Sequence, residues 1–456
     1  MAGSLTELSA RAEPRAPSDT FGAAWMMTAA AVLIGVGTVA SNADAATVII
    51  VVSLAATTFA LLDPTVRALK SLGRRPVVTV LAVAIALEAI TLPTRAPIAS
   101  VWYVTAHLVL AAIGLHALLF AKRWRFVQLV LVAAGHFAVM AWMISAGGLP
   151  DIDVYVIQQE GAAALLHGVN PFGLTFELVQ PPGSPPVYAP EVIEGDRLNF
   201  GFIYPPLSLL MAVPGYAIAG DYRYGAAAAL AVAAVIIAAI RPGQLGTGAA
   251  LLVLFAPMTQ QVLFWGWTDP FVILLLAITI FLASRQAATT PIGLGLLIAS
   301  KQYMAPLVLL GAVLLRQVRA RVGWPAMLGV PVGVATLTVL PFLLWDAGAL
   351  IYSTVTVHLL QPFRPDSLSI PAMLVRAGFE ELPSVVGFLL AGAVFALVAW
   401  RAERTPSGFC VATAVFLMVF FLFGKQAFLH YYFLVLAVLA CGIAATHAEE
   451  PLAPAR

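Results

Sequence analysis

YPPLSLLMAVPGYAIA, residues 204–219, is the stretch on which the threading of the whole chain turns. It is apolar throughout but carries Pro205, Pro206 and Pro214. Counted as a full membrane crossing, it would put Arg241 and Arg285 outside, against the rule that arginines and lysines beside spans stay in the cytoplasm. Laid along or dipped into the outer interface, it leaves every basic cluster inside: Arg67/Lys70/Arg74/Arg75, Lys122/Arg123/Arg125, Arg241, Arg285, Arg316/Arg319/Arg321 and Arg401/Arg404. The second reading gives an all-α polytopic membrane protein of about 14 transmembrane helices with both termini cytoplasmic.

Composition leaves no soluble alternative. Of 456 residues, 61% are hydrophobic and only 10% charged, and the mean hydropathy is +0.95. Apolar runs long enough to cross a hydrocarbon core of about 30 Å recur along the chain. The expected spans are 21–40, 45–62, 76–93, 101–120, 126–146, 223–240, 248–264, 270–284, 289–300, 303–316, 325–345, 384–400, 408–423 and 428–445. They divide the chain into a polar cytoplasmic N-terminus (1–20), a four-helix N-terminal module (21–122), a core (123–446) with external loops 147–222 and 346–383, and a cytoplasmic tail (447–456). The first span lacks a small-residue cleavage site and is expected to remain uncleaved. A net charge of +2 says little about partners, since in such a chain the place of each charge matters more than the sum, and no nucleic-acid partner is expected. Cys410 and Cys441 sit inside apolar runs as packed thiols, and no metal-ligand spacing or phosphate-cradling glycine loop is present.

The scarce charges collect at the outer membrane edge, where an ionisable group costs about 2.5–3.5 kcal/mol on insertion scales and marks a cavity or pathway. GGLPDIDVYVIQQEGAAALLHGVNPFG, residues 147–173, sets Asp151 and Asp153 just after a span and before an amphipathic segment ended by Gly168. A carboxylate there can take a proton from a substrate hydroxyl, or it can cap the helix that starts near Val154. Asp269, before Pro270, fits an N-cap or a cavity-facing acid. Lys301 interrupts two short apolar segments in LLIASKQYMAPLVLL. His358, Arg364 and Asp366 follow in the second long loop, and Lys425 and His430 in FGKQAFLHYYF. Three separate outer turns thus each bring a cation, Lys301, Arg364 and Lys425, which together suit a phosphate or pyrophosphate headgroup.

These residues resemble a known class. D-I-x-V-Y (Asp151 to Tyr155), A-x-x-L-L-x-G-x-N-P-F (Ala162 to Phe172) and Y-P-P-L (Tyr204 to Leu207) look like the GT-C class of polyprenyl-phosphate-sugar-dependent glycosyltransferases, nearest to the mannosyltransferases of glycosyltransferase family 87. The resemblance covers about residues 126–445 and implies that Asp151, on the first external loop, is the general base. It further implies a polyprenyl-phosphate sugar donor, mannose first, and a lipid-linked or cell-envelope glycan acceptor. The active site would face outward from a bacterial plasma membrane, with no cofactor or metal. Asp153 stands as a possible second acid. Lys301, Arg364, Lys425, His430, Tyr155, Asp269 and His358 stand as donor-phosphate and substrate-binding candidates. The class usually has one span before this loop where five are expected here, so residues 21–122 are an addition to the pattern. The competing class is a transporter or lipid flippase, for which interrupted helices and membrane-edge charges are equally natural.

Overall fold

The computed structural model describes residues 21–38, 42–62, 74–91, 98, 100–179 and 186–446. The expected cytoplasmic segments 1–20 and 447–456, and Arg67 and Lys70 of the first basic cluster, lie outside the described residues. The N-terminal part consists of α1 (Phe21–Gly37), α2 (Ala43–Leu62), α3 (Arg74–Thr91), α4 (Val101–Leu119) and α5 (Arg125–Gly147). Then come α6 (Asp153–Leu166), α7 (Pro206–Ala219), α8 (Arg223–Ile240), α9 (Gln244–Phe255), α10 (Thr259–Trp265) and α11 (Asp269–Ser284). They are followed by α12 (Thr290–Ile298), α13 (Leu307–Leu314), α14 (Arg316–Val322), α15 (Trp324–Trp345), α16 (Ala347–Ile351), α17 (Val357–Leu360) and α18 (Ile370–Arg376). The chain closes with α19 (Ser384–Arg401), α20 (Pro406–Leu422) and α21 (Leu429–Ala445).

A helix coincides with each expected span, and length and composition alone qualify fewer of them as crossings. Among the described residues, five helices (α4, α5, α8, α15 and α19) are long and apolar enough to cross a membrane, and up to seven spans result if each bent pair is one. Those pairs are α9 with α10, bent by 49°, and the segment 302–314 with α14, bent by 78°. At the first break Pro257 has no N–H to give the Val253 carbonyl, and the Thr259 hydroxyl donates to it instead at 2.8 Å. The nine residues of α12 reach about 13.5 Å at 1.5 Å per residue, half a hydrocarbon core. α12 and α13 form a hairpin in which Leu294 packs over Gly311, with Lys301 in the connection.

One continuous apolar core joins α1, α3, α9, α20 and α21. α21 is buried along nearly its whole length and is apolar on every side, as a helix surrounded by others must be. α15 and α19 do the opposite: Leu337, Leu344, Phe388 and Leu389 stand mostly exposed, an outward apolar surface that needs lipid rather than water. The first turn of α2 is tied to the second long loop by an ion pair at 2.6 Å between Arg376 and Asp44.

The loop after α6 holds a small core of its own. Phe172, Phe176, Tyr188, Leu198, Phe200 and Phe202 pack together with Phe342 of α15. Three two-residue strands brace it, β1 (Phe176–Glu177), β2 (Ile193–Glu194) and β3 (Arg197–Leu198), antiparallel in the order β1-β3-β2. They are the departure from an all-α chain among the described residues. Arg197 is the partner of both Glu177 and Glu194, an opposite-charge pairing that favours this register. Gly201 closes the loop where a Cβ would overlap the Phe172 backbone. Gly201→Ala is therefore expected to cost about 1–3 kcal/mol through overpacking, seen as a lowered melting temperature. Gly173→Ala, where a Cβ meets nothing within 4 Å, is expected to melt as the parent does.

Candidate active site

α6 runs from Asp153 to Leu166 and ends at Gly168, whose φ of +72° only glycine adopts without strain. Its N-cap is Ile152, which makes no side-chain cap bond, so neither aspartate caps the helix in the usual way. Asp153 is the first helical residue. One carboxylate oxygen accepts from the Val154 N–H at 2.7 Å, and the other accepts from the Tyr188 hydroxyl at 2.5 Å. Burial, then the Asp153 charge, pushes the Tyr188 hydroxyl well above its ordinary pKa, so it stays a donor. Asp151 is exposed on the linker between α5 and α6, and among the described residues no hydrogen bond or ion pair holds its carboxylate.

Lys301 and Asp269 form a buried ion pair at 3.0 Å, with the residues 4% and 0% exposed. Asp269 is not the N-cap of α11, a position taken by Thr268; it is the first helical residue, with Pro270 second. The Lys301 ammonium lies 5.9 Å from the Tyr204 ring centre and 5.7 Å from that of Tyr303, inside cation–π range. His430 is buried and stacks on Trp267 with ring centres 4.7 Å apart, within electrostatic reach of both Asp269 and Lys301. Tyr204 in turn feels the charges of Asp153 and Asp269. The two aspartates thus belong to one electrostatic neighbourhood.

Arg364 makes a two-point bond to Asp366, at 2.8 and 2.7 Å, and lies 5.0 Å from the Phe428 ring centre. Burial works to raise the Asp366 carboxyl, yet the bonds and charge of Arg364 outweigh it and hold the pKa below the usual carboxylate range. The Arg364 N–H donates to the Lys425 carbonyl at 3.1 Å, so both turns run side by side. The Lys425 ammonium donates to the carbonyls of Leu359 and Gln361 at 3.2 and 2.5 Å, and burial lowers its pKa. His358 Nε2 of α17 and the Gln302 amide both reach the Ile203 carbonyl at 2.9 Å, and Gln302 also donates to the Thr354 carbonyl of a π-helical turn (Tyr352–Thr356) at 3.3 Å. Ser353 of that turn accepts the Gly201 N–H at 3.0 Å.

Of the expected residues, Lys301 pairs with Asp269 within cation–π range of Tyr204 and Tyr303, His430 stacks on Trp267, and Arg364 pairs with Asp366 beside the Lys425 turn. Asp153 is bound to Tyr188, and Asp151 stands exposed without a described partner. The three cations expected from the outer turns, Lys301, Arg364 and Lys425, each already have an acceptor, because a cation at the membrane edge is costly to leave unpaired. Tyr155 stands apart. Its hydroxyl donates to Asp221 at 3.3 Å, its ring stacks on Tyr222, and Arg223 lies 4.9 Å from its centre. Burial, and then Asp221, raise its pKa to about 12. Sequence reading missed Tyr188 and the Asp221–Arg223 pair. For the pair a signal existed, two opposite charges two residues apart at the edge of an apolar run.

No family model and no curated protein matches this chain. A crystal structure of ArnT from Cupriavidus metallidurans bound to undecaprenyl phosphate is similar at 18% identity and a TM-score of 0.46, over 71% of this chain. The chain spans 60% of the length of that one.

Proposed function

We propose that the protein is a membrane glycosyltransferase. It would move a sugar, mannose first, from a polyprenyl-phosphate donor to a hydroxyl of a lipid-linked or cell-envelope glycan, on the outer face of a bacterial plasma membrane. One observation carries the reading: an open carboxylate at Asp151 sits two residues from a tied one at Asp153, while Lys301 and Arg364 supply cations on separate turns. An inverting or retaining transfer from a lipid phosphate needs these parts, a base for the incoming hydroxyl and positive charge for the departing phosphate.

In this mechanism Asp151 takes the acceptor proton as the hydroxyl oxygen attacks the anomeric carbon. The bond from that carbon to the phosphate oxygen breaks, and the phosphate leaves with its electron pair. Arg364 exchanges Asp366 for the phosphate, to which its planar guanidinium offers two parallel donors. Lys301, neutralised by Asp269, supplies position more than charge. The threading accommodates this. If α12 and α13 are a re-entrant pair, two crossings are lost together and every basic cluster keeps its side.

Arg364→Ala is expected to raise the donor KM about 10- to 100-fold, the worth of a charged hydrogen bond. Initial rates across donor concentrations read this directly, and an unchanged KM would remove Arg364 from the donor site. The broken helices α9/α10 and α13/α14 are the observation that favours the transporter reading. Release of free polyprenyl phosphate from the sugar donor by purified protein separates the two, since a flippase leaves the glycosidic bond intact.

A further inference from the structure

The buried polar groups around the Lys301–Asp269 pair do not complete one another. Of the two carboxylate oxygens of Asp269, Oδ1 accepts the Lys301 ammonium at 3.0 Å, while Oδ2 is buried with no hydrogen-bond partner among the described residues. The Tyr303 hydroxyl lies close enough to act on Asp269 but falls short of hydrogen-bond geometry. Thr268 is the N-cap of α11, yet its buried hydroxyl makes no cap bond and has no other described partner. Nδ1 of buried His430 is likewise unpaired among the described residues. The Lys301 ammonium carries three N–H groups and makes one described hydrogen bond. Folded proteins leave few buried polar groups unmet, and each exception asks for a partner.

Aromatic rings surround these groups. Trp267 stacks on His430 with ring centres 4.7 Å apart, and Tyr431 lies 4.2 Å from His430 and 6.0 Å from Tyr303. Tyr204 and Tyr303 lie within cation–π range of Lys301. All four of these rings, Trp267, Tyr431, Tyr303 and Tyr204, are only partly buried, so the unmet groups sit beneath a rim that reaches the surface. Charge narrows what could meet them. Lys301 and Asp269 sum to zero, and the next carboxylate acting on Tyr204 and Tyr431 is Asp153. An anion would face the open Asp269 oxygen with no cation left over, and a cation would face Lys301. A hydroxyl both gives and takes a hydrogen bond, which suits a neutral floor holding unmet donors and unmet acceptors together. A ring bearing several hydroxyls would also pack its C–H faces on the aromatic rim.

We infer that Thr268, Asp269, Lys301 and His430 form the subsite for the sugar of the lipid donor, and that it selects a neutral sugar over one carrying a carboxylate. The role of this subsite rests on the transferase reading above: Arg364 meets the phosphate, and these four residues read the sugar hydroxyls. The test measures the affinity of the full chain in lipid nanodiscs for three probes. They are undecaprenyl-phosphate mannose, its mannuronate counterpart, and undecaprenyl methyl phosphate, which keeps the charge at phosphorus but has no sugar. In the parent the mannose lipid is expected to bind about tenfold or more tighter than the methyl phosphate, and the mannuronate lipid no tighter than the methyl phosphate. Thr268→Val removes the hydroxyl and little volume, and His430→Phe keeps a ring on Trp267 and removes Nδ1. Each should weaken binding of the mannose lipid about three- to tenfold and leave the methyl phosphate unaffected. Thr268→Val should melt no lower than the parent, because the group it deletes is unpaired. Equal binding of the mannose lipid and the methyl phosphate in the parent would overturn the subsite and leave the transferase reading standing, whereas binding of neither would overturn both. A mannuronate lipid that binds as tightly as the mannose lipid would overturn the selection for a neutral sugar. Variants that melt lower yet keep the parental affinity for the mannose lipid would show groups completed by buried water, and would overturn the subsite too.

Discussion

Asp151→Asn is expected to lower sugar transfer by about 10²–10⁴-fold, the usual share of a general base, while the protein melts at the parent temperature. The side chain is exposed and makes no described hydrogen bond or ion pair, so replacing one oxygen by an amide leaves the packing alone. What it removes is the ability to accept a proton. Asp153→Asn is the informative companion. Its amide oxygen can still accept the Tyr188 hydroxyl while the amide nitrogen no longer accepts the Val154 N–H, so the loop contact stays and a smaller loss follows, about tenfold. The measurement is transfer of labelled sugar from a polyprenyl-phosphate donor in membranes, with a melting curve for each variant. Near-parental activity in Asp151→Asn would sink its assignment. Inactivity of Asp153→Asn alone would move the base two residues along, to the carboxylate inside the cluster.

The ease of reading this chain varied with how local each signal was. α6 and its stop at Gly168 were legible because an amphipathic period and a glycine terminator lie next to one another in sequence. The start of α7 at Pro206 was legible for the same reason, proline being suited to a first helical turn. The bend at Pro257 carries a local cause, whereas the sharper one at Leu315 has no proline or glycine to announce it. Lys301 was visible as an anomaly, a charge between apolar half-segments, but its partner lies 32 residues away and only the folded chain supplies it. Tyr188 was invisible because its place is set by Phe200 and the rest of the small loop core, where no helical or strand period operates. Fourteen apolar runs need not be fourteen crossings, as the nine-residue length of α12 illustrates. Mean hydropathy reports whether a segment prefers to be dry, and a half-length helix buried among others satisfies that as fully as a span does.

The buried pair Lys301–Asp269 carries the largest expected effect on stability. Either charge left alone in that place has neither water nor a counter-charge, so Lys301→Met and Asp269→Asn should each cost about 3–5 kcal/mol. That is enough to remove most of the net stability of a typical domain, and the expected sign is loss of folded protein from the membrane. The double variant Lys301→Met with Asp269→Leu separates two explanations. If the pair is held for packing, an apolar replacement of similar volume should recover most of the loss, because the desolvation of two charges is no longer required. If it is held for function, the recovered protein should remain folded yet turn over donor poorly, since Lys301 lies over Tyr204 and neighbours His430 at the site proposed for the sugar phosphate. Melting curves of both single variants and the double variant give the coupling energy of the cycle. A double variant as unstable as the singles would show that Tyr204 and Tyr303, not the ion pair, dictate the size and polarity of that space. A double variant that is stable and fully active would make the pair a structural inheritance of the helix hairpin and take Lys301 out of the donor site.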